Sequence, residues 1–200
     1  KMISNVLKEL TPKYKNVVVV DDGSADKTFE TANKHEVTVL KHIVNLGKGA
    51  ALKTGCEYAV NKGAEIMVFI DADGQHLPSD IPRFLKAIKG RDIVFSYRNF
   101  RKEMPLILKM GNNLINLVTH ILFSLKIKDT QCGFRALRSE AYKKIKWQST
   151  SYPVESEMIA NTGRKRLKYS EIPIKTIYKE KYKGTTIFDG MKIILNMIKW

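Results

Sequence analysis

The sequence predicts an α/β domain with a mainly parallel, doubly wound sheet and helices on both faces. Three observations carry that prediction. Short apolar runs, Val17 to Val20, Val37 to Leu40, Ile66 to Ile70 and Ile93 to Ser96, recur along the chain and are bounded by turn residues, as buried strands are. Amphipathic segments of helical spacing fall between them, and repeated strand–helix alternation implies parallel pairing covered on both faces. Two of the runs end in acid-rich turns, Asp21-Asp22-Gly23-Ser24 and Asp71-Ala72-Asp73-Gly74-Gln75-His76. Such turns lie where open α/β sheets take their ligands.

In chain order, Met2, Ile3, Val6, Leu7 and Leu10 have helical spacing, with Thr11-Pro12 as the stop. Asp26 heads a helix to about Lys34. Asn45-Leu46-Gly47-Lys48-Gly49 opens a helix from Ala50 to Asn61, which Gly63 closes, and Pro78-Ser79-Asp80 starts another to about Lys89. From Met104 to Leu125 the pattern is helical, with Lys109, Asn112, Asn113, Asn116 and His120 down one side. Gln131 to Leu137 reads as a short extended segment and Val154 to Asn161 as a helix. Ile172-Pro173-Ile174 reads as an edge strand, because proline cannot donate to an inner ladder. Phe188 to Trp200 sets Lys192, Asn196 and Lys199 against Met191, Ile194, Leu195, Ile198 and Trp200, an amphipathic pattern suited to a membrane surface. The expected division is one domain over 1–186 and an amphipathic helix over 187–200. The opening strand of the doubly wound pattern is expected before residue 1, since a helix starts this sequence.

The 200 residues carry a formal net charge of +15, and Lys and Arg crowd residues 164–199. Such a surface attracts polyanions, whether nucleic acid, an acidic membrane face or phosphorylated substrates; a solvated lysine-rich surface is the plainer reading. A nucleic-acid binder accounts for the charge but not for acids at two strand tips, so no nucleic-acid partner is expected. Cys56 and Cys132 are far apart and lack metal-ligand spacing, which fits a reduced cytoplasmic compartment. No apolar run reaches the roughly eighteen residues of a spanning helix, and membrane contact is expected to be peripheral, on the cytoplasmic face.

The Asp71–Asp73 turn is the centre of the chemistry. Carboxylates at i and i+2 in an irregular turn can aim at one point, where they repel unless a cation lies between them. Hard oxygen donors suit Mg²⁺ or Mn²⁺. The alternative is a turn in which both aspartates only cap backbone amides.

Six stretches in register resemble one family: Asp21-Asp22-Gly23-Ser24 after its valines, Asn45 to Gly49, Asp71 to His76, Ser96-Tyr97-Arg98, Asp129-Thr130-Gln131-Cys132-Gly133-Phe134-Arg135, and Glu171-Ile172-Pro173-Ile174. Together, over about residues 1–190, they resemble the inverting glycosyltransferases of family 2, in particular the polyprenyl-phosphate (dolichyl-phosphate) mannose and glucose synthases. The resemblance implies a GT-A fold, a nucleotide-sugar donor (GDP-mannose or UDP-glucose) and a polyprenyl-phosphate acceptor in the cytoplasmic leaflet. It maps the metal site to Asp71 and Asp73 with Gln75, and base and ribose contacts to Asp21 and Asp22. Arg98 matches a basic residue near the acceptor phosphate, with Lys109 and Asn112 close to further acceptor contacts. Glu157 matches an acid on a helix lining the site, with Glu155 as the nearby alternative. Lys179 and Lys181 fall where the family has cations that close over the diphosphate.

Those roles make physical sense. Charge builds on the departing diphosphate, so a fixed cation is the first need, and Asp73 with Asp71 anchors it. A lipid monophosphate is already anionic near neutrality, its second pKa being about 6, so no strong base is required. Arg98, Lys109, Lys179 and Lys181 offset the repulsion between acceptor and donor phosphates. Lys48, between two glycines, would face phosphate, the glycines letting backbone pass close to the nucleotide. Arg135 is expected to brace its loop rather than touch ligand. The chain departs from the family in its closing loop, which carries lysines in place of arginines, and any C-terminal spanning segment would follow Trp200. A family 2 enzyme with a soluble or polysaccharide acceptor, and a non-catalytic nucleotide-sugar-binding module, are the alternatives.

Overall fold

The computed structural model describes residues 2–98, 106–151, 153–175 and 177, with 106–112 described by backbone alone. The elements run α1 (Met2–Leu10), β1 (Val18–Asp21), α2 (Thr28–Ala32), β2 (Thr38–Lys41), α3 (Lys48–Asn61) and β3 (Ile66–Phe69). After a 3₁₀ turn at Pro78–Asp80 come α4 (Ile81–Ala87), β4 (Ile93–Arg98), α5 (Leu106–Phe123), β5 (Arg135–Arg138), α6 (Ser139–Ile145), α7 (Val154–Arg164) and β6 (Tyr169–Ile174).

The strands form two sheets, a parallel β1–β2 pair and a four-stranded sheet in the order β3-β5-β4-β6. β4 and β6 are parallel, and Pro173 sits on β6 at the sheet edge, where its missing donor costs nothing. β5 runs antiparallel to both β3 and β4, so this sheet is mixed. The reason lies at the tip of β4. Arg98 holds Asp129 there, so the segment from Asp129 to Phe134 crosses the strand tips, and β5 enters the sheet from that end.

Side chains alternate along the central strands, and both faces are covered. Ile93, Phe95 and Leu137 pack under α3, α5, α6 and α7 with Cys56, Phe123, Tyr142 and Met158. Val94, Ala136 and Ile174 pack on the opposite face against Leu7 and Leu10 of α1, Ala32 of α2, and Phe84 and Ile88 at α4. Val19 and Val39 of the two-stranded pair join Ile66 and Val68 of β3 in that second core, and α3 lies against both β1 and β3. Two sheets are thus held as one body by side chains rather than by a shared ladder. Among the described residues, β1 and β3 each keep one edge without a strand partner.

Helix α5 is unusual. Ile115, Thr119 and Phe123 turn inward, while Leu114, Leu117, Ile121 and Leu122 are turned out, Ile121 being 69% exposed. No helix among the described residues is long and apolar enough to cross a membrane. The terminal segment 187–200 lies outside the described residues.

Candidate active site

The site is assembled at the strand tips from the β1–α2 turn, the start of α3, the turn after β3, the Asp129–Phe134 segment and the start of α7. Asp22 ties the first two together. Its Oδ1 accepts the Leu46 N–H at 2.9 Å and faces His42 Nδ1 at 2.7 Å, while Oδ2 accepts the Gly47 N–H at 2.7 Å. Partial burial pushes this carboxyl up, but the backbone donors and His42 prevail and hold it below the usual carboxylate range. Gly23 is obligatory beside it, with φ at +69° and a Cβ that would lie 2.6 Å from Asn45 N. Asp21 is buried; its Oδ1 accepts the Ser24 N–H at 3.2 Å, and Oδ2 has no partner among the described residues.

With Gly47 fixed, Lys48 reaches across to the next tip. Its Nζ lies 2.9 Å from Asp71 Oδ1, 3.0 Å from Asp71 Oδ2 and 2.8 Å from Glu155 Oε1. Burial works against the ammonium, yet Glu155 and Asp71 more than reverse it and hold Lys48 charged well above the ordinary lysine range. Asp73 is exposed, and its Oδ1 accepts the Gln75 N–H at 2.9 Å; the Gln75 side chain is exposed as well. His76 turns inward from the same turn onto Phe134, ring centroids 5.2 Å apart. Burial pulls its imidazole down, and Asp71 and Asp73 only partly oppose that, so it stays neutral at pH 7 and holds the turn to the core.

The sequence reading put the site acid at Glu157. The structure turns Glu155 toward Asp71 instead. Residues two apart on a helix point about 200° apart, so both cannot face one point. Glu157 accepts the Gln148 N–H on Oε1 and the Ser149 N–H on Oε2, each at 2.8 Å, with its side chain buried. It thereby braces the segment that packs on Gly47 and Gly49, where a Cβ would strike the carbonyls of Thr150 and Ser149. Those glycines admit this chain's own backbone, and Ala50 N–H and the Trp147 indole complete the joint, bonding Thr150 O at 3.1 Å and Gly49 O at 2.9 Å. Glu157→Ala is expected to lower stability by about 2–3 kcal/mol, the loss of two charge-assisted bonds, read by urea denaturation.

Arg98 forks onto Asp129, Nε to Oδ2 at 2.7 Å and Nη2 to Oδ1 at 3.1 Å. Asp129 is fully buried and also accepts the Gln131 N–H at 3.1 Å, so this pair sets the loop over the strand tips. Arg135, also buried, donates to Cys132 O, Glu155 O and Thr130 O, the brace expected of it. Lys109 and Asn112 lie on α5 where only backbone is described, and Lys179 and Lys181 lie outside the described residues. Glu155 was legible only as an alternative to Glu157, and nothing in the linear sequence paired it with Lys48.

Acids at two strand tips, a clamped lysine between them and a polar loop over a mixed α/β sheet define a GT-A glycosyltransferase frame. The chain belongs to glycosyl transferase family 2, whose family model matches residues 1–146. It is 42% identical to an uncharacterised protein of Methanocaldococcus jannaschii, over 99% of this chain and 86% of that one. It is 34% identical to the UDP-N-acetylglucosamine–dolichyl-phosphate N-acetylglucosaminyltransferase of Methanococcus voltae, over 99% and 90%. With the dolichol-phosphate mannosyltransferase of Pyrococcus furiosus it shares 31% identity, over 92% of this chain and 55% of that one. Among solved structures it is similar to a Mycobacterium tuberculosis glucosyl-3-phosphoglycerate synthase in complex with Mn²⁺, UDP and phosphoglyceric acid. That match has a TM-score of 0.75 at 17% identity, covers 98% and 73% of the two chains, and speaks to the fold.

Proposed function

We propose that this protein transfers a hexose, with inversion, from a nucleoside-diphosphate sugar to the phosphate of a polyprenyl (dolichyl) lipid at a cytoplasmic membrane face. The observation that carries the reading is the Asp71–Asp73 turn, set at a strand tip beside a charged lysine, in a chain similar along its length to an enzyme named for dolichyl phosphate.

The donor set fits a divalent ion. Two carboxylates and the Gln75 amide come from one turn, hard oxygen donors too few to fill a coordination shell, which leaves room for phosphate. Among the described residues no group of three or more His, Cys, Asp or Glu side chains is placed to hold a metal ion, so an ion here would rest on the two aspartates, the Gln75 amide and the donor's own phosphates. Asp71, Asp73 and Gln75 would hold Mg²⁺ or Mn²⁺, which when bound draws negative charge from the leaving diphosphate. The rest falls to the chain itself. Lys48 supplies a fixed positive charge beside Asp71, and Lys179 and Lys181 add theirs over the diphosphate. Asp21, buried with one oxygen unpartnered among the described residues, takes the nucleoside, and Asp22 holds the Leu46–Gly47 backbone. Of the residues the resemblance assigns to the acceptor phosphate, Lys109 and Asn112 bind it, while Arg98, forked onto buried Asp129, sets the Asp129–Phe134 loop; the phosphate attacks without a strong base because it is already anionic.

A long-chain acceptor needs an apolar landing surface. The outward leucines of α5 and Ile121, flanked by exposed Lys126 and Lys128, supply one against an anionic leaflet. The terminal amphipathic segment 187–200 adds to it.

The test is transfer itself. The full chain, Mn²⁺ and dolichyl phosphate are incubated in turn with radiolabelled GDP-mannose, UDP-glucose and UDP-N-acetylglucosamine. One donor is expected to place label in the organic phase, dependent on the divalent ion. Label appearing only in water-soluble product would overturn the lipid acceptor.

A further inference from the structure

We propose that Glu155 is a positioning residue for sugar transfer: it keeps hold of the Lys48 ammonium when Asp71 turns to the divalent cation. The inference rests on the reading of Asp71 as a cation ligand and gives a role to Glu155, which the sequence offered only as an alternative to Glu157.

Lys48 has two acidic partners at nearly equal distance, Glu155 at 2.8 Å and Asp71 at 2.9 Å. They are not equivalent. The Asp71 side chain is 32% exposed and sits on a turn at the mouth of the site, whereas that of Glu155 is 6% exposed and is fixed on the first turn of α7. The backbone of Glu155 is pinned by Arg135 Nη1 on its carbonyl at 2.8 Å, so Arg135 uses the main chain and leaves the carboxylate to Lys48. Oε2 of Glu155 is buried without a hydrogen-bond partner among the described residues, and Oε1 meets the Lys48 ammonium. Gly133 forms the floor of the nest. A Cβ there would lie 2.8 Å from Lys48 Nζ, 2.9 Å from Asp71 Oδ2 and 3.5 Å from Glu155 Oε1, so the three groups converge over Gly133 and leave no room for a side chain there.

The charges explain why two acids are present. Lys48 and Asp71 alone sum to zero, and a divalent ion approaching Asp71 would face an uncompensated ammonium. Glu155 makes the nest net negative and gives the ammonium a second anchor once the ion takes Asp71. Lys48 then remains beside the ion with its charge available to the diphosphate.

Three measurements test this. Mn²⁺ titration of Glu155→Gln is expected to show affinity about ten- to a hundredfold below wild type, the range for losing a partner behind a metal ligand. The Lys48→Met/Glu155→Gln double variant, with ammonium and acid both gone, is expected to recover to within about threefold of wild type. Lysine labelling with an acylating reagent, read by mass spectrometry at Lys48, is expected to be faster in Glu155→Gln than in wild type. Wild-type affinity in Glu155→Gln, no recovery in the double variant, or unchanged labelling at Lys48 overturns the proposal while Asp71-dependent Mn²⁺ binding stands. Mn²⁺ binding that survives Asp71→Asn overturns the cation reading and this inference with it.

Discussion

Asp73→Ala is expected to reduce sugar transfer at least about a thousandfold while the melting temperature stays within about 2 °C of wild type. The two halves of that result come from the same geometry. Asp73 is exposed, and it accepts the Gln75 N–H within its own turn. Surface positions of that kind usually change stability by less than about 0.5 kcal/mol. Its electrostatic weight is different. Without Asp73 a divalent ion would keep one carboxylate, which also faces Lys48, and one amide, too weak a hold to oppose the charge developing on a diphosphate. Raising Mn²⁺ is expected to rescue the variant only slightly. Label transfer and a thermal melt check both halves, and undiminished turnover in a folded Asp73→Ala chain would rule out the mechanism.

Much of this frame was legible in the sequence because it is written in short-range terms. Apolar runs closed by Asp21 and Asp71 gave strands with acids at their tips, and Gly63, with φ at +79°, ended its helix as a helix-terminal glycine does. Pro173 marked an edge strand and occupies one. What depended on contacts far apart in sequence was harder to see. β5 enters antiparallel from a loop that Arg98 ties to the tip of β4 through Asp129, a bond across 31 residues. Helix α6 was not read, although Ala141, Tyr142 and Ile145 carry its buried spacing, because it follows β5 directly with no turn residue to announce it. Glu155 and Glu157 differ by one helical step, and only the placement of α7 decides that one meets Lys48 and the other the Gln148 and Ser149 amides. Gly47 and Gly49 were read as room for a nucleotide, whereas the Ser149–Thr150 backbone lies where their side chains would be, a distinction residue type cannot carry.

Arg135→Met is expected to lower stability by about 3–5 kcal/mol, the largest such effect of the changes considered. The sign needs argument, because removing a buried charge can also stabilise. Burial works against this guanidinium, and Glu155, Asp129 and Asp71 offset that only in part, so its pKa falls below the ordinary arginine range. Methionine relieves that cost and keeps much of the volume. Against it stand three backbone carbonyls, Cys132 O at 2.9 Å, Glu155 O at 2.8 Å and Thr130 O at 3.0 Å, each buried with the guanidinium. Carbonyls left without donors cost about 1–3 kcal/mol each, and together they outweigh the relief. The loss is also structural, since those bonds join the loop over the strand tips to the first turn of α7, and Glu155 rides on that turn. Arg135→Lys keeps the charge but has one ammonium for three diverging acceptors, and is expected to recover less than half of the lost stability. Urea denaturation of both variants measures this, with transfer activity falling alongside. A methionine variant within about 1 kcal/mol of wild type would mean the loop is held by other bonds, chiefly the Arg98 fork on Asp129.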